Sequence, residues 1–113
     1  MKLSDVKEIL NAEVLTGEEF LDNTVNSACG CDLMSDVLAF VKDRAVLLTG
    51  LMNPQVIRTA EMMDIETIIF VRGKKPDDAI IGMAKMKDIV IMRTEYPLYI
   101  ASGKLYNAGL GNI

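Results

Sequence analysis

The sequence predicts an α/β protein, a three-layer sandwich in which a mainly parallel sheet is flanked by helices. Three observations lead there. Continuously apolar runs recur at Ala45 to Thr49, Thr67 to Val71 and Ile89 to Met92, each the length of a strand buried on both faces. A loop and then a segment of helical apolar spacing follow each run, and such strand-helix repetition implies parallel pairing through right-handed crossovers. Finally, 113 residues, half of them apolar, suffice for one core, so residues 1–113 are read as a single domain.

The elements are justified in chain order. Ser4 is placed to cap a short helix carrying Val6, Ile9 and Leu10 on one face, with Asp5 in the first turn where the helix dipole favours an acid. Glu13-Val14-Leu15 reads as a brief strand, Thr16-Gly17-Glu18-Glu19 as a loop, and Thr24 to Cys29 as a weakly alternating strand. From Asp32 the pattern sharpens: Met34, Val37, Leu38 and Val41 recur at i, i+3, i+4 and i+7, one stripe of a helix capped by Asp32 or Ser35. After the first buried run, Asn53-Pro54 supplies a cap and a proline at the first helical position, with Val56, Ala60 and Met63 inward. Beyond the second run, Arg72 to Lys75 form a loop and Pro76 opens a helix with Ile80, Met83 and Ala84 inward. The third run leads through Arg93-Thr94-Glu95 into a helix marked by Leu98, Ala101 and Leu105, ending before Gly109 and Gly111. The acidic first segment is expected to add at one edge of the sheet.

Composition excludes several function classes. No apolar run approaches the roughly 18 residues a bilayer span needs, and the start of the chain lacks the order of a signal peptide, so the expected location is cytoplasmic. A net charge of −4 disfavours a nucleic-acid binder, whose footprint is a strongly basic face. Residues 1–36 hold two lysines against eight carboxylates, so the positive charge lies in residues 37–113. There is no histidine, which removes the usual general base, the usual partner of a nucleophile and the commonest metal ligand together. Neither a G-x-G-x-x-G after a strand nor a P-loop is present.

Chemistry in such sheets concentrates beyond the carboxyl ends of the strands, where loops lead into helix N-termini. That rule selects Thr49, Gly50, Asn53, Arg72, Gly73, Lys74, Lys75, Arg93 and Thr94 as candidate binding residues for a phosphate or carboxylate. Cys29-Gly30-Cys31-Asp32 offers two thiols and an oxygen, but no other Cys or His exists to complete a zinc site, and C-x-C is not the redox C-x-x-C signature; no metal or cofactor is expected. Glu18, Glu19 and Asp22 read as a solvated loop. Eight methionines exceed what so small a core needs, and the apolar surface left over suggests a homodimer.

Three stretches resemble the DRTGG domain family: Ser35-Asp36-Val37-Leu38-Ala39, Leu47-Leu48-Thr49-Gly50-Leu51-Met52-Asn53-Pro54-Gln55, and Thr94-Glu95-Tyr96-Pro97-Leu98-Tyr99-Ile100-Ala101. The resemblance covers about residues 1–108. The family's charged turn is replaced here by Gly50-Leu51-Met52-Asn53. What the resemblance implies is a parallel-sheet module similar to the amino-terminal domains of HPr kinase, with regulatory or dimerising roles and no assigned catalytic residues. Short stand-alone members near genes for iron hydrogenases imply, as an alternative, an interaction role beside a redox complex.

The expectation is therefore a non-catalytic regulatory module that dimerises and binds a small anionic ligand such as a nucleotide. A small phosphoryl-transfer enzyme using Asp32, Asp36 and the basic loops is the other alternative.

Overall fold

The computed structural model describes residues 1–41 and 44–111. In chain order the elements are α1 (Leu3–Ile9), β1 (Glu13–Thr16), a 3-10 turn at Glu18–Phe20, β2 (Ser27–Gly30), α2 (Met34–Phe40), β3 (Ala45–Thr49), α3 (Pro54–Met62), β4 (Thr67–Phe70), α4 (Asp78–Met86), β5 (Val90–Arg93) and α5 (Leu98–Asn107). The strands form one sheet in the order β1-β5-β4-β3-β2. Strands β2 to β5 are parallel neighbours, and β1 runs antiparallel to β5. The α/β sandwich expected from the sequence is the observed architecture.

Strand order decides where the helices go. From β2 to β5 each connection steps to the next strand in the same direction, so right-handed crossovers put every intervening helix on one face. Accordingly Met34 of α2, Val56, Ile57 and Ala60 of α3, and Ile80 and Ala84 of α4 pack on Leu47, Ile68, Phe70 and Ile91. The opposite face is covered by the outer helices. Leu3 and Val6 of α1 and Ala101 and Leu105 of α5 close over Val46, Leu48, Ile69, Val90 and Met92. All residues of β3 and β4 are buried, and each fully buried Leu, Ile or Phe among them stabilises the fold by about 1.5–3 kcal/mol.

Several local expectations are corrected. The first segment adds at both edges of the sheet, not one, since β1 borders β5 while β2 borders β3. Residue Thr24 lies outside β2 and makes an isolated bridge to Lys2. Lys2, not Ser4, is the cap of α1, because its N–H reaches the Asp5 carboxylate at 3.2 Å. Neither Asp32 nor Ser35 caps α2, which starts after Leu33 without a side-chain cap. Leu38 is exposed, off the Met34–Val37 face that α2 packs on the sheet; the helix ends at Phe40, and Val41 follows in extended conformation at ψ 136°. Asn53 and Pro54 begin α3 as expected, the Asn53 carboxamide accepting from Gln55 N–H at 2.9 Å. Met63 is only half-buried because the helix has ended before it. Pro76 precedes rather than opens α4, whose cap is Asp77, accepting from Ile80 N–H at 2.9 Å.

Candidate functional site

Parallel register brings the exits of β2, β3 and β4 together. Gly30 lies opposite Leu48, and Thr49 opposite Phe70, so the residues just past each strand converge on Gly50. From β2, the Asp32 carboxylate crosses to the β3 exit: one oxygen accepts from Gly50 N–H at 2.7 Å and from the Thr49 hydroxyl at 3.0 Å. Thr49 in turn accepts from Leu51 N–H at 3.1 Å. From β4, Lys74 donates to the Gly50 carbonyl at 3.1 Å, and a nitrogen of the Arg72 guanidinium stands 2.9 Å from where a Gly50 Cβ would be. A side chain at 50 would therefore crowd only the flexible end of Arg72, which lies over this position.

The turn that delivers these cations is tight. Arg72 and Gly73 both have positive φ, 60° and 67°, and Lys74 N–H closes on Val71 C=O at 3.3 Å. A non-glycine residue in the left-handed region costs on the order of 1 kcal/mol, and the conformation is held because Arg72 N–H and Gly73 N–H bond the carbonyls of Tyr96 and Thr94 at 2.9 and 2.8 Å. Gly73 also faces the Glu95 carboxylate where a Cβ would sit. The turn thus lifts the Arg72 side chain outward over Gly50.

The nine candidates selected from the sequence lie at or just beyond the ends of β3, β4 and β5 but differ in what their polar groups do. Arg72, Lys74 and Lys75 form no ion pair among the described residues. Arg93, by contrast, is the last residue of β5 and is engaged by Glu13 at 3.0 Å and Glu95 at 3.5 Å. The Thr94 side chain points inward, its buried hydroxyl donating to Leu10 C=O at 2.7 Å and accepting from Tyr96 N–H at 3.3 Å. Asn53 is occupied as the α3 cap, and Thr49 and the Gly50 N–H by Asp32. Asp32 is the rim residue that the candidate list lacked. Its position two residues beyond β2 meets the same strand-exit rule that selected the others.

Cys29 and Cys31 are both free and half-buried on the α2 side of β2. The Cys31 sulfur accepts from Leu33 N–H at 3.4 Å. Burial, then the neighbouring Cys31 and then Asp36, push the Cys29 thiol above its ordinary pKa, so it stays protonated at neutral pH and its reactive thiolate is scarce. We expect Cys29 to react with iodoacetamide several-fold more slowly than glutathione at about pH 7.5, followed by mass spectrometry. A rate equal to that of glutathione contradicts the raised pKa. Among the described residues no group of three or more metal-capable side chains occurs, and no helix is long and apolar enough to cross a membrane.

No curated protein matches the chain significantly in sequence. Among solved structures, the fold is similar to that of the CBS and DRTGG domains of the regulatory region of Clostridium perfringens pyrophosphatase, complexed with its activator diadenosine tetraphosphate, with a TM-score of 0.73 and 18% identity. The similarity covers 92% of this chain and 45% of the other, so the present chain spans less than half of that protein's length. The family model for the DRTGG domain matches residues 5–107. A match over nearly the whole sheet and its helices makes the chain a member of the DRTGG domain family.

Proposed function

We propose that this protein is a non-catalytic, cytoplasmic regulatory module that binds a small anionic ligand of the nucleotide class at its strand exits and works as a homodimer. The observation that carries the ligand reading is the delivery of two cations, Arg72 and Lys74, without ion pairs among the described residues, to Gly50 by a turn held at positive φ. The hydrogen bonds that hold this turn leave the exposed Arg72 guanidinium over Gly50 at the β3 exit, where an anion would meet it. Lys75 extends the positive surface, and an Arg guanidinium matches phosphate oxygens in pairs. Family membership supports the regulatory reading, as does the nucleotide activator named for the pyrophosphatase region. A catalytic role lacks support at the rim: the acid there, Asp32, spends one oxygen on two protein donors.

Thermal unfolding with inorganic phosphate, AMP, ATP and diadenosine tetraphosphate tests the reading. A binding anion present at about 100 times its dissociation constant stabilises the fold by about 2.7 kcal/mol. That gain is expected to vanish in the double variant Arg72→Ala, Lys74→Ala, with stability in plain buffer little changed. If none of the four anions raises the melting temperature, or the double variant responds as fully as the wild type, the strand exits are not a binding site.

A further inference from the structure

The two edges of the sheet are treated differently. Strand β1 is guarded: its register against β5 slips between Val14 and Thr16, and it carries the charged Glu13. Bulges and charges of this kind discourage further strand pairing. Strand β2 has neither device. The stretch Asn26-Ser27-Ala28-Cys29-Gly30-Cys31 contains no charge and no proline, and its pairing with β3 is regular over all four residues. Cys31 N–H donates to Leu48 C=O at 3.0 Å. By the alternation of a strand, the N–H and C=O of Ala28 and Gly30 then point away from β3, to the open side. Among the described residues no loop or side chain hydrogen-bonds to them.

Alongside this open edge runs α5, and it too is unfinished. Tyr99 and Tyr106 are 86% and 70% exposed, and Ile100 is exposed beside them. Between α5 and β2 lies a groove of about 640 Å³ lined by Ala28, Gly30, Tyr99, Ser102, Gly103 and Tyr106 among others. The positions 99, 102, 103 and 106 fall on one stripe of a helix. Two large rings therefore flank a saddle made of two small residues. Among the described residues nothing stands within 4 Å of where a Gly103 Cβ would be, so the saddle is open there.

We infer that the β2 edge and the α5 stripe together form the surface on which a second copy of this chain docks, β2 against β2 and α5 against α5. The inference deepens the homodimer of the proposed function, on which it rests, by assigning its face. A two-fold axis normal to the sheet sets the two β2 strands antiparallel, as edge pairing by symmetry requires, and keeps both α5 helices on the same face. The helices then lie side by side in opposite directions, and a tyrosine of each meets the Ser102-Gly103 saddle of the other. One contact accounts for the unguarded edge and the exposed tyrosines together. Charge agrees with a self-partner. Lys104 is the one charged residue among those lining the groove, and it sits over the Tyr96 ring at 4.7 Å from its centre, so the surface offers a charged partner little to pair with and confronts its own copy with no array of like charges.

Gel filtration with light scattering, over concentrations up to about 100 µM, is the test, joined to hydrogen exchange. The wild type is expected at twice the chain mass of 12.4 kDa. Gly103→Arg and, separately, Tyr106→Glu, both at exposed positions with space around them, are expected to run as folded monomers. Met86→Arg, on the exposed end of α4, serves as a control and stays dimeric. In the wild-type dimer the amides of Ala28 and Gly30 are protected, and in the Gly103→Arg monomer they exchange about 100-fold faster. A dimer that survives both α5 substitutions leaves the homodimer standing and overturns this face. A wild type that is monomeric throughout overturns both, and protection of Ala28 and Gly30 retained in the Gly103→Arg monomer overturns the β2 edge as the dimer contact. The anion response of Gly103→Arg reports separately on the strand-exit site and is expected to match the wild type.

Discussion

Gly17→Ala lowers the stability of the fold by about 3 kcal/mol, from two costs that add. Gly17 sits at φ 87°, where an L-residue is penalised by roughly 1–2 kcal/mol. Its missing Cβ would also lie 2.8 Å from a Val90 methyl and 2.9 Å from the Val90 Cα. A methyl can rotate, but the Cα belongs to β5, whose pairing with Thr67 of β4 fixes it in the sheet. Overpacking against such a neighbour costs on the order of 1–3 kcal/mol. For a domain of this size the sum lowers the melting temperature by roughly 15 °C. Gly82→Ala provides the contrast: it lies within α4 with nothing near its Cβ position, and alanine there is expected to stabilise by about 0.5–1 kcal/mol. Calorimetry on the two variants reads the difference, and equal shifts of the same sign contradict this account of Gly17.

The need for glycine at 17 shows where sequence reasoning stops. Thr16-Gly17-Glu18-Glu19 is readable as a turn, yet the residue that makes glycine obligatory, Val90, is distant in the chain and becomes a neighbour only through the antiparallel pairing of β1 with β5. The central strands were legible for the opposite reason. Ala45 to Thr49 and Thr67 to Phe70 are buried on both faces, so their apolar runs record an environment that needs no knowledge of partners. Strand β2 is at an edge with one side open, and its weaker pattern gave its start three residues early. The rim shows the same division. A strand-exit rule finds Arg72, Lys74 and Thr94 alike, because it depends only on position after a strand. Whether a side chain then turns outward, as Arg72 does, or inward to Leu10 C=O, as Thr94 does, depends on long-range packing. Asp32 was readable as a helix cap, and it leaves that role because Gly50 N–H and the Thr49 hydroxyl, presented together by the β2–β3 register, offer it two donors at once.

Removing that carboxylate is expected to have opposite effects on stability and on anion binding. Asp32→Ala leaves the buried Gly50 N–H and Thr49 hydroxyl without their acceptor, and losing hydrogen bonds to a charged group costs about 2 kcal/mol. The same change empties the position at the β3 exit where a phosphate oxygen would find those donors, beside the Arg72 guanidinium. It also deletes a negative charge from the rim, worth about 1 kcal/mol at contact distance in a water-like medium, or roughly fivefold in affinity for an anion. Inorganic phosphate is thus expected to stabilise Asp32→Ala more than the wild type, returning part of the lost stability. Asp32→Asn separates the two contributions, because its carboxamide oxygen still accepts from Gly50 N–H while the charge is gone: little stability is lost, yet anion affinity rises. Urea unfolding of the three proteins with and without phosphate measures both quantities. Should phosphate stabilise all three equally, Asp32 does not stand where an anion would, and any anion at the rim is held by the Arg72 turn without the β3 exit.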